Sequence, residues 1–244
     1  MFSRTQLLLG KAAMDKLAKA HVAVFGIGGV GGYVVEVLAR SGIGALTLID
    51  KDVVDVTNLN RQIIALHSTV GQPKVEVARQ RVLDINPDCR VTTFEMFYLP
   101  ENADSFDFSQ YDYVVDCVDT VTAKLDLIRR CHEQQVPLLS CMGAANKMDA
   151  TAFRVADIYQ TNMDPLAKII RKKLRKLGIP QQKVVYSEEE PMTPAEVSTE
   201  TKPTGRPVPA SNAFVPAAAG LVAGGEVVKD LINGFSSIFR DTDG

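Results

Sequence analysis

The chain has 244 residues and a formal net charge of −2, with 46% hydrophobic and 23% charged residues. This composition is typical of a globular protein with a sizeable core, and the charge excludes nucleic-acid binding through an overall positive field. No apolar run reaches the roughly 18 residues of a membrane span, and the N-terminal run is too short for a signal peptide, so we expect no membrane association.

Helix and strand patterns alternate along the first part of the chain. Residues 21–50 read as strand, glycine turn, helix and strand, and residues 73–86 as a helix that opens with Pro73. Strands at 90–95, 111–119 and 137–143 follow, with a helix at 122–135 before the last of them. This alternation predicts an α/β fold, with a Rossmann-like, doubly wound and mostly parallel sheet.

The regular alternation of helix and strand patterns ends at about residue 150. We predict a strand at 151–158, an amphipathic helix at 164–178 capped by Asp164, a long and mobile loop at 187–212, and a small-residue helix at 214–232. We therefore divide the chain into a nucleotide-binding domain, residues 1–150, and a C-terminal strand and helix extension of the same domain, residues 151–244.

A glycine loop follows the first predicted strand. Gly26, Gly28 and Gly31 match the G-x-G-x-x-G pattern, with Gly29 between them, and the helix that begins there offers N–H groups to phosphates. Asp50 closes the second strand, where an acid accepts hydrogen bonds from ribose hydroxyls. A glycine turn needed only for packing is the alternative, but the complete set favours nucleotide binding.

The polar loop after Asp50 indicates which nucleotide binds. A dehydrogenase that uses NAD has little need of further cations here, whereas a guanidinium, an ammonium and two carboxamides suit a polyphosphate. Asp119 follows a strand at the ligand-binding edge, where a lone carboxylate can hold Mg²⁺. Asp52 either orders the loop or contacts the nucleotide. The candidate phosphate-binding residues are Asn58, Arg61, Gln62 and Lys74.

These motifs resemble the ubiquitin-activating (ThiF/MoeB-type) superfamily of ATP-dependent adenylating enzymes. The resemblance rests, in chain order, on "GIGGVG", "LIDKDVVDVTNLNRQ", "GQPK" and "DCVDT". It implies ATP and Mg²⁺ as cofactors, ribose binding by Asp50 and catalytic roles for Arg61, Lys74 and Asp119. The segment "FSRTQLLLG" resembles one that carries an arginine into the partner subunit's site, which implies a homodimer in which Arg4 acts in trans.

The second half of the chain resembles the tRNA threonylcarbamoyladenosine dehydratases of the TcdA/CsdL type through "ADIYQTNMDPLAKIIRKKLRKLGI". That resemblance implies ATP-dependent activation and cyclisation of a threonylcarbamoyl group on tRNA, and it allows a monovalent cation and a sulfur-transfer protein as partner. The alternative is adenylation of the C-terminal glycine of a ubiquitin-like sulfur carrier, whose activators usually carry two CxxC zinc pairs. A catalytically silent scaffold is disfavoured by the complete set of site residues.

Seven cations occupy residues 168–183 without an acid between them, which predicts a tRNA-backbone patch; the alternative is the solvated face of an amphipathic helix. We expect four of them to face outward and bind RNA: Arg171, Lys172, Arg175 and Lys176.

The four cysteines form no CxxC pair and no disulfide framework, which disfavours a zinc ribbon and favours a cytoplasmic location. We expect Cys89, Cys117 and Cys131 to be inert, with Cys117 inside a strand. Cys141, near the ligand edge, is left open between catalysis and packing.

Overall fold

A single seven-stranded sheet organises the protein in the computed structural model, which describes residues 1–196 and 208–234. The strands are β1 His21–Phe25, β2 Ala45–Ile49, β3 Arg90–Phe94, β4 Tyr113–Asp116, β5 Leu138–Cys141, β6 Phe153–Asp157 and β7 Lys183–Ser187. Their order in the sheet is β3-β2-β1-β4-β5-β7-β6; β6 runs antiparallel to β7, and the other neighbouring strands are parallel.

Helices cover both faces of the sheet. The helices are α1 Ser3–Leu9, α2 Lys11–Leu17, α3 Gly31–Arg40, α4 Lys74–Ile85, α5 Val121–Glu133, α6 Pro165–Leu177 and α7 Val215–Asn233. Val22 and Val24 of β1 pack into one core with α3, α4 and α7, whereas Ala23 and Phe25 pack into the other core with α5 and α6. This alternation follows from the period of two along a strand.

The predicted doubly wound, mostly parallel sheet is confirmed. The direction of chain progression reverses between β1 and β4, and open α/β sheets bind ligands outside the carboxyl ends of the strands at such a switch point. The fold therefore places the end of β1, where the glycine loop begins, beside the end of β4, where Asp119 follows.

The C-terminal part of the chain joins the same sheet. Ser140 of β5 pairs with Val184 of β7, and β6 then pairs with β7. The sequence pattern predicts no strand at the position of β7. The predicted loop at 187–212 was wrong at its first residue, because Ser187 belongs to β7, and residues 197–207 of that loop lie outside the described part of the chain. None of the described helices is long and apolar enough to cross a membrane.

Candidate nucleotide-binding site

A cavity of about 460 Å³ opens at the switch point of the sheet. It lies at the carboxyl ends of β1, β2, β4 and β5, where the fold leads us to expect a ligand. Gly31 and Arg4 do not line it, but most of the predicted site residues do: Gly26, Gly28, Gly29, Asp50, Asp52, Asn58, Arg61, Gln62, Lys74 and Asp119.

The glycine loop leaves open space where a phosphate would approach. Gly26 has φ +90°, and a Cβ there would lie 2.8 Å from the Cys117 carbonyl oxygen. A Cβ on Gly31 would lie 1.8 Å from the Gly26 carbonyl oxygen, so Gly31 is required for packing behind the cavity wall. A Cβ on Gly28, in contrast, would meet nothing within 4 Å. Gly28 is thus the glycine whose backbone a ligand can approach closely.

Asp50 ties the polar loop to the glycine loop. Its carboxylate accepts hydrogen bonds from the Ile27 N–H at 2.7 Å and the Asp52 N–H at 2.8 Å. An ionised carboxylate offers about four lone-pair positions, so two remain for ribose hydroxyls. Asp50 therefore orders both loops while it keeps the acceptor capacity that the sequence pattern predicts.

Local hydrogen bonds order the polar loop and hold the Arg61 guanidinium in position. Asn58 Oδ1 accepts from the Asp55 N–H at 3.1 Å in the capping box of the 3-10 helix Val56–Asn58. Arg61 Nη1 donates to the Thr57 carbonyl at 3.0 Å and to Asn60 Oδ1 at 2.8 Å, and burial lowers the pKa of Arg61. Asn58 thus has a structural role that sequence reasoning missed, although the D-x-x-N spacing was its signal.

Lys74 and Asp52 form an ion pair at the edge of the cavity. Lys74 Nζ donates to Asp52 Oδ2 at 3.0 Å, and the Lys74 N–H donates to the Asp52 carbonyl at 2.9 Å. The lysine is buried and the aspartate is exposed. Asp52 therefore orders the loop, and because it also lines the cavity, its contact with a nucleotide stays a prediction.

Gln62 carries a buried acceptor in the wall of the cavity. Its Oε1 atom is buried and, among the described residues, has no hydrogen-bond partner. Buried polar atoms of folded proteins nearly always have one. A donor from a bound ligand or its hydration shell would satisfy this atom, so the donor and acceptor set fits a hydrated polyphosphate.

Asp119 is the exposed carboxylate at the end of β4. No group of three or more His, Cys, Asp or Glu side chains that could hold a metal occurs in residues 1–196 and 208–234. Mg²⁺ needs no such group, since it binds through one or two carboxylates together with phosphates and water. Asp119 therefore suits a magnesium ion that arrives with a nucleotide.

A buried ion pair supports the wall that carries Asp119. Lys124 Nζ donates to Asp116 Oδ2 at 2.6 Å and to the Cys141 carbonyl at 2.9 Å, and neither Lys124 nor Asp116 is exposed. Asp116 Oδ1 accepts from the Val118 N–H at 3.1 Å, just before Asp119. Sequence reasoning missed this pair, which links the ends of β4 and β5 beneath the cavity.

The expected position of Cys117 was wrong. Strand β4 ends at Asp116, and Cys117 lies beyond it in the cavity wall, with its Sγ 3.8 Å from Cys141 Sγ. The hydrogen bond to Cys141 and burial together raise the pKa of the Cys117 thiol well above its usual value. A protonated thiol is a poor nucleophile, so Cys117 is suited to packing.

Arg4 lies on α1, away from its own chain's cavity. Helix α1 has no buried residues, and Leu7 and Leu8 are 87% and 82% exposed. Two neighbouring leucines that are exposed on a short helix form an apolar surface of the kind that often contacts another protein chain.

Helix α6 carries the predicted basic surface, with two corrections. Arg171 is half-buried, and its Nη1 donates to the Thr161 carbonyl at 2.6 Å, because this guanidinium satisfies the turn that precedes the helix. Lys183 lies in β7 and forms buried ion pairs with Glu226 and Asp230. Lys172, Arg175 and Lys176 are exposed as expected.

A switch-point cavity bordered by a glycine loop, the carboxylate of Asp50 and the cations Arg61 and Lys74 is typical of a nucleotide-binding α/β protein. The family model described as the ThiF family matches residues 2–234. The chain belongs to this family, which confirms the predicted superfamily.

Individual relatives make the resemblance more specific. The tRNA threonylcarbamoyladenosine dehydratase of Bacillus subtilis is 48% identical over 239 residues, covering 95% of this chain and 94% of that protein. The Escherichia coli protein of the same name is 45% identical over 174 residues, covering 71% of this chain and 65% of its own length. The crystal structure of the E. coli dehydratase TcdA in complex with ATP has a TM-score of 0.86 at 37% identity, covering 95% of this chain and 93% of that one. The predicted resemblance to the dehydratases is thereby confirmed.

Proposed function

We propose that this protein is an ATP-dependent tRNA threonylcarbamoyladenosine dehydratase. It activates the carboxylate of the threonylcarbamoyl group on an anticodon-loop adenosine so that the group cyclises. The observation that carries this proposal is the 48% identity to the B. subtilis dehydratase over 95% of the chain, because the match includes the region after residue 150 in which the acceptor substrate must be recognised. Mere conservation of the nucleotide site would not extend there.

The reaction has two steps that balance. An oxygen of the threonylcarbamoyl carboxylate attacks the α-phosphorus of ATP, and pyrophosphate leaves with the bonding electrons. A nucleophilic atom of the same group then attacks the activated carbonyl, and AMP leaves with the former carboxylate oxygen. Because ring closure is intramolecular, the nucleophile is present at high effective concentration, and no enzyme thiolate is required.

The cavity residues divide this work between binding and charge stabilisation. Asp50 accepts from the ribose, and the backbone at Gly28 receives phosphate oxygens. Arg61 and Lys74 line the cavity. We assign them to the negative charge that develops on the leaving pyrophosphate, where side chains already held in position avoid reorganisation during the reaction. Asn58 and Gln62 complete the phosphate contacts. Mg²⁺ held by Asp119 would neutralise phosphate charge.

The proposed active form of the enzyme is a homodimer. Arg4 is remote from its own cavity, on a helix with two exposed leucines, which supports its action in a partner subunit's site. A guanidinium delivered in this way would add a further cation to the triphosphate.

The remaining partners follow from the substrate. The exposed cations of α6 give tRNA a local positive surface on a chain of net charge −2. We place the reaction in the cytoplasm with its tRNA substrate. A monovalent cation and a sulfur-transfer protein are further expectations of the resemblance, and we assign them no residues.

A pyrophosphate exchange assay tests the proposed function. Purified protein with ATP, Mg²⁺ and radiolabelled pyrophosphate should form labelled ATP only when threonylcarbamoylated tRNA is added. Unmodified tRNA is the matched control, because it presents the same phosphates without the carboxylate. Exchange driven by a ubiquitin-like protein with a C-terminal glycine, and not by the modified tRNA, would overturn the proposal.

A further inference from the structure

We propose that Tyr159 and Arg175 form a stacking platform for one unpaired base of the tRNA anticodon loop. This inference rests on the proposed function and adds a mode of recognition to it. Lys172 and Lys176 offer point charges to the RNA phosphates, whereas the platform offers a planar surface on which an exposed base can stack.

The two side chains already form a cation–π contact in the protein. The Arg175 Cζ atom lies 5.3 Å from the centroid of the Tyr159 ring. Arg175 is exposed, and within the described residues no carboxylate lies close enough to pair with it. A guanidinium placed on an aromatic ring and left accessible to solvent is a common surface for an unstacked RNA base.

Hydrogen bonds hold the platform at several points. The Tyr159 hydroxyl donates to the Ile179 carbonyl just beyond α6, and the Tyr159 N–H donates to Asp157 Oδ1 at 2.8 Å. Arg171, one turn before Arg175, donates to the Thr161 carbonyl and hydroxyl at 2.6 and 2.7 Å. The segment that carries Tyr159 is therefore fixed to α6, so the protein loses little conformational entropy when a base stacks there.

The start of α6 is fixed to the nucleotide cavity. Lys147 Nζ donates to the Gly143 carbonyl at 3.0 Å and to Asp164 Oδ2 at 3.2 Å, and both charged side chains are buried. Asp164 caps α6, and both Gly143 and Leu166 line the cavity. Arg175 follows Leu166 by nine residues, which is about 14 Å along the helix axis. A few nucleotides can span this distance, so one base can reach the platform while the modified adenosine occupies the cavity.

The substitution Arg175→Lys separates stacking from charge. It keeps the positive charge and removes the planar guanidinium, so we expect the tRNA dissociation constant to rise about five-fold or more, as for the loss of a base stack. The slope of log affinity against log salt should stay unchanged, because no phosphate contact is lost. Tyr159→Leu should weaken binding similarly, and Tyr159→Phe should retain most of it. Arg79→Lys, the same exchange at an exposed position of α4, is the matched control.

A fluorescent base analogue placed a few nucleotides from the modified adenosine provides a direct readout. We expect wild-type protein to quench its fluorescence and Arg175→Lys to quench it less, with ATP affinity unchanged in both. Equal affinity and equal quenching in Arg175→Lys would overturn the platform, and so would a change of the salt slope by about one, which indicates a phosphate contact. Cyclisation of modified tRNA by the wild type is measured in parallel. Its absence would reject the proposed function, whereas normal cyclisation with an unaffected Arg175→Lys variant would reject the platform alone.

Discussion

Lys74 and Asp52 face each other at the edge of the nucleotide cavity, with Nζ and Oδ2 3.0 Å apart and side chains 7% and 51% exposed. The pair fixes a buried ammonium group before any anion arrives. An ammonium group has three donors, so Lys74 can keep Asp52 and still bind a phosphate oxygen. The arrangement is preorganised in the sense that electrostatic stabilisation of a transition state requires.

Removal of either cavity cation should therefore slow the adenylation step. We expect Arg61→Ala and Lys74→Ala each to lower ATP-dependent turnover by at least ~10²-fold, the scale for loss of one preorganised charge contact. Initial rates of pyrophosphate release from modified tRNA measure this. Arg79→Ala, on the same helix as Lys74 but absent from the cavity wall, should keep wild-type rates. Wild-type turnover in folded Arg61→Ala or Lys74→Ala would contradict the assigned roles.

Arg4 should act across a dimer interface. Arg4→Ala and Asp119→Ala homodimers should both be inactive, whereas mixed dimers should regain part of the activity, because one of their two sites has both residues. Turnover after subunit exchange between differently tagged variants is the measurement. If exchange is demonstrated and activity does not return, Arg4 acts in its own subunit or outside catalysis.

Helix α6 should contribute phosphate contacts through its exposed cations. We expect the double reversal of Lys172 and Lys176 to Glu to weaken tRNA binding and to flatten its salt dependence, since each lost contact reduces counterion release. ATP affinity should not change. The comparison requires tRNA dissociation constants at several salt concentrations.

The matched control for that reversal lies at the other edge of the sheet. Arg79 and Arg90 belong to α4 and β3, whereas α6 follows β6 at the opposite edge. Their double reversal to Glu changes the net charge without touching the proposed surface. Similar affinities and slopes for wild type and both reversals would mean that α6 is only a solvated face.

Cys117 and Cys141 should be dispensable for ring closure. Their Sγ atoms lie 3.8 Å apart in the cavity wall, and the raised pKa of Cys117 keeps its thiol protonated near neutral pH. We expect the double Cys→Ala variant to form the cyclic product within about ten-fold of the wild-type rate, since the substrate supplies its own nucleophile. Loss of cyclisation with adenylation intact would instead assign a thiolate to the second step.

Sequence reasoning identified the cavity because its signals are local. The glycine loop, Asp50 and the polar loop up to Lys74 fall within one βαβ unit, in which spacing fixes position. The position of strand β7 and the burial of Lys183 depend on partners that are distant in sequence. Lys183 pairs with Asp230, which lies 47 residues further along the chain. No local pattern distinguishes such a buried lysine from a neighbouring exposed one.

Arg171 and Arg175 show that local sequence also fails to distinguish a half-buried arginine from an exposed one within a single helix. They are four residues apart on α6 and look equivalent in the sequence. In the folded chain Arg171 bonds to Thr161 in the preceding turn, whereas Arg175 lies over Tyr159 and remains exposed. The difference arises from how the segment 158–161 packs on the helix, which hydrophobic periodicity does not specify.

Mass spectrometry of the nucleosides from tRNA that has been incubated with the enzyme tests the central claim most directly. Threonylcarbamoylated tRNA treated with the protein, ATP and Mg²⁺ should yield a nucleoside lighter by one water, and a heavy-oxygen label in the substrate carboxylate should appear in AMP. Omission of ATP, or the Lys74→Ala variant, should leave the nucleoside mass unchanged. An unchanged nucleoside in the complete reaction, with an enzyme that still adenylates a protein C-terminal glycine, would contradict the account.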